Sequence, residues 1–162
     1  MAVTDEMVCF SLYAASRATT QLYRTLLERW GLTYPQYLVL VALWREGEQT
    51  VTSLGDLLQL DSGTLSPLLR RMEQSGLVTR ARSAQDERVV TLALGERGTA
   101  LRGELAHLPS RIAEAAGVRD ADAESLIRTL QEITSSMHAA AASAHEPRSG
   151  SAARASASPG AR

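Results

Sequence analysis

The sequence predicts a mainly α winged helix-turn-helix, in which two short helices joined by a tight turn are followed by a β-hairpin and enclosed by N- and C-terminal helices. Three observations carry this. Apolar residues recur at helical spacing on both sides of the turn at Leu60-Asp61-Ser62-Gly63, the period changes from 3.6 to 2 directly behind Gly76, and helical patterns resume from Gly95.

Across residues 5–30, apolar and small residues keep a helical spacing. Thr4 is the expected N-cap, Asp5 and Glu6 suit the positive end of the helix, and Gly31 ends it. Pro35 fits a first helical turn, and Tyr37, Val41 and Trp44 mark a second helix that reaches about Glu46. Thr50-Val51-Thr52 reads as a very short strand ahead of a short helix carrying Leu54, Leu57 and Leu58. Leu65, Leu69, Met72 and Gly76 then fall at i, i+4, i+7 and i+11, the buried stripe of a helix over 62–76 closed by glycine. Residues 77–82 and 89–94 alternate as strands around a polar tip at 83–88, a wing. Helical patterns return over 95–116, weakened by Gly98, Gly103 and Pro109, and over 120–142, where Leu126, Leu130, Ile133 and Met137 share one face.

Length and composition bound the organisation. At 162 residues, with 44% hydrophobic and 22% charged residues, the chain suits one globular domain, expected over 1–142. Residues 143–162 are Ala, Ser, Arg, Gly and Pro without an apolar period and are expected to be a disordered tail. No stretch approaches the roughly 20 apolar residues of a membrane helix, and the start is acidic where a signal peptide would be basic. A soluble cytoplasmic protein with no membrane partner is the expectation. The formal net charge of −1 means that any affinity for nucleic acid must come from local charge. A single cysteine excludes a disulfide framework and leaves a cytosolic thiol. His107, His138 and His145 are scattered, so neither a metal site, another cofactor nor an enzyme is expected.

The helix over 62–76 hides Leu65, Leu69 and Met72, so Gly63, Pro67, Arg70 and Gln74 face outward, with Thr64 and Arg71 on the flank. Short residues at its start, Ser62, Gly63, Thr64 and Ser66, allow close approach to base edges, while Arg70 and Arg71 can reach a guanine or a phosphate. Pro67 lacks an N–H and crowds the carbonyl of Gly63, which reads as a first turn shaped for contact more than for stability. In the wing tip, Arg88 beside Asp86 suits an arginine placed in a narrow minor groove; an ordinary solvated turn fits as well.

The order of elements, together with Asp61-Ser62-Gly63-Thr64-Leu65-Ser66-Pro67-Leu68-Leu69-Arg70-Arg71-Met72-Glu73 and Asp86-Glu87-Arg88, resembles the MarR family of winged-helix repressors over about residues 5–142. The resemblance implies a homodimer, joined through the helices at 5–30 and 95–142, on a pseudo-palindromic operator in double-stranded DNA read by the lobe at 48–94. It implies DNA contacts for Ser62, Gly63, Thr64, Pro67, Arg71 and Arg88.

All seven aromatic residues, from Phe10 to Trp44, lie in the N-terminal part of the chain, and a core and dimer seam accounts for most of them. Cys9, Tyr13, Ser16, Thr20, Tyr23 and Leu27 fall on one helix face. Cys9 and Tyr23 are nonetheless about 21 Å apart along such a helix, so if they meet they do so across a dimer. A reactive thiol requires thiolate character, which phenolic hydroxyls and a helix N-terminus support; Tyr23 and Tyr34 are the candidate donors. Val8-Cys9-Phe10-Ser11-Leu12-Tyr13-Ala14-Ala15-Ser16-Arg17 and Leu32-Thr33-Tyr34-Pro35-Gln36-Tyr37 resemble the OhrR branch of that family, the organic-hydroperoxide sensors. The resemblance makes Cys9 the peroxidatic cysteine, Tyr23 and Tyr34 its partners from the opposite subunit, and Tyr13 a further match. With no cysteine after Cys9, it is the one-cysteine subtype that is resembled, so oxidation would be followed by capping with a small cellular thiol or by over-oxidation. The rival is a repressor of the same family released by a small aromatic ligand, with Cys9 structural; a one-cysteine peroxidase and a pure protein-interaction domain are the other classes considered.

Overall fold

The computed structural model describes residues 3–82 and 89–145. The chain divides into two compact units, residues 1–116 and 117–162. In the first, α1 (Val8–Leu27), α2 (Tyr34–Glu46), β1 (Gln49–Thr50), α3 (Val51–Leu58), α4 (Ser62–Gln74), β2 (Val78–Arg82), β3 (Val90–Leu94), α5 (Glu96–Leu105) and α6 (Leu108–Ala115) follow in order. The second contributes α7 (Asp120–His145). The strands form one antiparallel sheet in the order β1-β3-β2, with Val78 opposite Leu94, Arg80 opposite Leu92 and Gln49 also opposite Leu92. The helix-turn-helix and wing expected from the sequence are present as α3, α4 and the β2–β3 hairpin.

Four boundaries differ from the sequence reading. The N-terminal helix does not start at Asp5: Val3–Glu6 is a 3-10 turn, in which the Met7 N–H donates to the Thr4 carbonyl at 3.1 Å, and α1 starts at Val8 with Met7 as N-cap. The expected strand at 50–52 is confined to Gln49–Thr50, because the Thr50 hydroxyl accepts from the Ser53 N–H at 3.0 Å and starts α3 at the next residue. The stretch 95–116 is two helices, with Pro109 opening the second, where its missing N–H costs nothing. Finally, α7 runs to His145, three residues into what reads as tail; residues 146–162 lie outside the described part.

Two connections shape the lobe around the recognition helix. Gln59 adopts φ 54°, a left-handed conformation that lets the chain reverse between α3 and α4. At the far end of α4, Gly76 takes φ 70°, the Gly76 N–H reaches the Glu73 carbonyl at 3.0 Å, and the Leu77 N–H reaches the Met72 carbonyl at 2.9 Å. This closes the helix and sends the chain into β2.

The core of the first unit is largely leucine: Leu27, Leu40, Leu43, Leu54, Leu65, Leu69, Leu77, Leu92, Leu105 and Leu108 are fully buried together with Val39 and Met72. Each such side chain contributes about 2–3 kcal/mol of transfer free energy. Apart from the phenols of Tyr23 and Tyr37, no polar or charged side chain is buried among the described residues, so α4 sits on α2 and α3 through apolar contact. Gly98, which reads as a weak point of a helix, is instead a packing contact: a Cβ there would collide with the Leu77 carbonyl oxygen and lie 3.2 Å from Leu40 Cδ2. Its own carbonyl accepts the Trp44 indole N–H at 3.0 Å. In the second unit, α7 carries Leu126, Leu130 and Met137 on its surface with Ile133 half-buried. No helix among the described residues is long and apolar enough to cross a membrane.

Candidate functional site

The start of α4 is built by Asp61. Its carboxylate accepts from the Thr64 N–H at 2.9 Å and from the Thr64 hydroxyl at 2.8 Å, and these bonds hold the carboxyl below its usual range. The Thr64 side chain is therefore committed as a donor before it meets any ligand. Behind this cap, Leu65, Leu68, Leu69 and Met72 anchor the helix, and Leu68 extends the stripe read from the sequence. Ser62, Gly63, Thr64, Ser66, Pro67, Arg70 and Arg71 are all exposed, as the sequence reading requires of a face that meets DNA. Pro67 does not break the helix, which continues to Gln74 with the ring at the surface. Among the described residues neither Arg70 nor Arg71 forms an ion pair, so both guanidinium groups are free for phosphate or base edges. Asp86 and Arg88, the expected wing-tip pair, lie outside the described residues.

The thiol region is split. Cys9 is exposed on the first turn of α1, with Met7, Val8, Phe10 and Tyr13 exposed around it. Tyr13 accepts from Arg17 Nη1 at 3.0 Å and its ring stands tilted to Phe10. Further along the same helix face the surroundings invert: Tyr23 is buried, and its ring stacks on Tyr34 with centroids 4.1 Å apart and 16° between planes. Tyr37, which the sequence reading assigned to the core and dimer seam, completes the cluster at 5.4 Å from Tyr23. Burial, with the neighbouring Tyr34 and Tyr37, pushes Tyr23 up to about 12, and burial also raises Tyr34 and Tyr37. These phenols remain protonated donors at any physiological pH. The structure thus brings Tyr23 and Tyr34 together and leaves Cys9 about fourteen residues, roughly 21 Å, up the helix from them.

Known proteins place this architecture. Residues 21–105 match the family model for the transcriptional regulator SarA/Rot. The chain belongs to this family of MarR-like winged-helix regulators. Among curated members of the wider group, the organic hydroperoxide resistance transcriptional regulator of Bacillus subtilis is 42% identical over 134 residues, 83% of this chain and 91% of the relative. The regulator TtmR of Methylorubrum extorquens is 43% identical over 143 residues, 88% of this chain and 73% of the relative. Among solved structures, reduced AbfR bound to DNA superposes with a TM-score of 0.68 at 35% identity, over 80% of this chain and 91% of that one. As a SarA/Rot-type, MarR-like chain it is a DNA-binding transcriptional regulator. The DNA contact that the sequence resemblance implies for Arg71 predicts that Arg71→Ala weakens binding to duplex DNA about tenfold and lowers the slope of log affinity against log salt by about one, with the fold unchanged. Titration of a labelled duplex at several salt concentrations measures both, and an unchanged slope would remove Arg71 from the interface.

Proposed function

We propose that the chain is a cytoplasmic repressor that binds a pseudo-palindromic operator as a homodimer, and that organic hydroperoxides release it by oxidising Cys9, derepressing a peroxide-resistance gene. The carrying observation is the stack of the buried Tyr23 on the half-buried Tyr34, a pair of protonated hydroxyl donors. Lying about 21 Å from the exposed thiol of its own chain, it can serve only the Cys9 of a second copy. Identity of 42% to an organic hydroperoxide resistance regulator supports the same reading. So do the exposed apolar residues around Cys9 in the first unit and, separately, those along α7 in the second, each of which offers a second copy apolar surface to cover.

In this reading the lobe at 48–94 reads DNA with Ser62, Gly63, Thr64, Ser66, Pro67, Arg70 and Arg71, joined by Asp86 and Arg88 from the wing. The helices at 5–30 and 95–142 hold the dimer and its spacing. The Cys9 thiolate attacks a peroxide oxygen, giving a sulfenic acid and an alcohol, while Tyr23 and Tyr34 of the partner donate hydrogen bonds to the sulfur and oxygen. A small cellular thiol then condenses with the sulfenic acid, forming a mixed disulfide and water, since the chain holds no second cysteine.

The test is a gel shift read together with intact mass. Protein treated with cumene hydroperoxide and glutathione is expected to gain one glutathione per chain and to lose the shifted band in the same proportion. Mass gain without loss of the band would refute the release step, and loss of the band without any adduct would point to a ligand in place of an oxidant.

A further inference from the structure

The turn that follows α1 and the end of α4 are held by one and the same helix, α5. Two glycines let α5 approach the exit of α4 at backbone distance: a Cβ at Gly95 would collide with the Gly76 carbonyl oxygen, and one at Gly98 with that of Leu77. The Gly95 N–H donates to the Leu77 carbonyl at 2.9 Å. Backbone packed this closely moves as one piece, so the end of α4 and the start of α5 form a rigid corner.

From that corner, two side chains two turns apart on α5 reach to Trp30, at the end of the 3-10 turn Glu28–Trp30 that follows α1. Arg97 Nη2 donates to the Trp30 carbonyl oxygen at 2.7 Å, and its Nη1 donates to the Ser75 carbonyl oxygen of the α4 C-cap at 3.4 Å. Glu104 Oε2 accepts the Trp30 indole N–H at 2.7 Å. The Arg29 guanidinium lies 3.6 Å from the centre of the Trp30 ring. Both carbonyls that Arg97 holds belong to helix ends, where acceptors lack intrahelical partners and the dipole is negative, and one planar fork satisfies both.

We infer that Arg97 and Glu104 are positioning residues that grip Trp30, so that displacement of α1 is delivered to the recognition helix α4 through α5. The inference rests on the proposed function for its input at Cys9 and its output at DNA. It assigns the connection between them to a solvent-facing grip, whose loss leaves the leucine core in place.

The experiment uses the full chain and a duplex selected by the reduced wild-type protein from a random pool. Affinity is measured before and after cumene hydroperoxide with glutathione for wild type, Arg97→Met, Arg97→Lys, Glu104→Ala and Glu104→Gln. Arg97→Met is expected to weaken reduced binding about three- to tenfold, the loss of charge-assisted hydrogen bonds at a solvent-facing site, and to shrink the ratio of reduced to oxidised affinity at least tenfold. Glu104→Ala does the same more weakly, and Glu104→Gln, which keeps an acceptor for the indole, restores the wild-type ratio. A purely structural role would lower the melting temperature and leave the ratio in place; an unchanged ratio in Arg97→Met overturns the inference. If Arg97→Met fails to fold, Arg97→Lys, which keeps the charge and reaches one carbonyl only, takes its place: a smaller ratio supports the grip and an unchanged one overturns it. If peroxide does not release wild type at all, the redox reading fails separately. Hydrogen exchange at residues 70–77 then decides the grip: faster exchange in Arg97→Met supports it, and unaltered exchange removes it.

Discussion

Cys9→Ser is expected to bind operator DNA within about twofold of wild type when reduced and to stay bound in organic hydroperoxide, while wild type loses affinity by a factor on the order of 10³. The first half follows from exposure: Cys9 lies on the surface of its own chain, and exchanging sulfur for oxygen leaves every core contact in place. The second half follows from chemistry, because a serine hydroxyl is neither a nucleophile at neutral pH nor oxidisable along the sulfur ladder. Several kcal/mol are needed to move an operator from nearly full to nearly empty, and a mixed disulfide placed where two copies pack supplies bulk on that scale. Fluorescence anisotropy of a labelled duplex, with and without cumene hydroperoxide and glutathione, measures both halves. Release of Cys9→Ser by the peroxide would end the thiol reading and restore the ligand-released repressor.

Gly98→Ala is expected to be strongly destabilising for an exchange of a single hydrogen for a methyl group. The added carbon would overlap the Leu77 carbonyl oxygen, which belongs to the backbone and cannot swing away, and would press on Leu40 Cδ2 at 3.2 Å. Separating α5 from β2 to relieve this also stretches the 3.0 Å bond from the Trp44 indole to the Gly98 carbonyl. A cost of about 3 kcal/mol, and a fall in melting temperature of roughly 10 °C, is the expected scale for overpacking at an unyielding site. Thermal unfolding followed by circular dichroism measures it. Gly103→Ala, five residues along the same helix, has nothing within 4 Å of its added carbon and is expected to be neutral or slightly stabilising. Equal melting temperatures for the two variants would contradict the packing described.

By itself the sequence determined the elements whose signals are local. Leu65, Leu69 and Met72 repeat on a helical period and Gly76 supplies the left-handed residue that closes it, so α4 and its exposed face are legible in the chain alone. The alternation over 77–82 and 89–94 encodes a hairpin for the same reason, since a period of two suits only a pleated strand. Helix arithmetic alone also showed that Cys9 and Tyr23 of one chain cannot touch. Where local signals competed, they misled: Thr50-Val51-Thr52 is β-branched, yet the hydroxyl of Thr50 caps a helix there, and capping outweighs a weak strand preference once β3 covers only two residues. Tertiary structure decided the rest, because it depends on neighbours distant in sequence. Tyr23 becomes a donor paired with Tyr34 only when α2 folds back on α1, and the grip of Arg97 and Glu104 on Trp30 spans about seventy residues that no periodicity connects. Gly98 shows the same reason most plainly: in one dimension it is a poor helix former, and in three it is the one residue type small enough for α5 to rest on the carbonyl of Leu77.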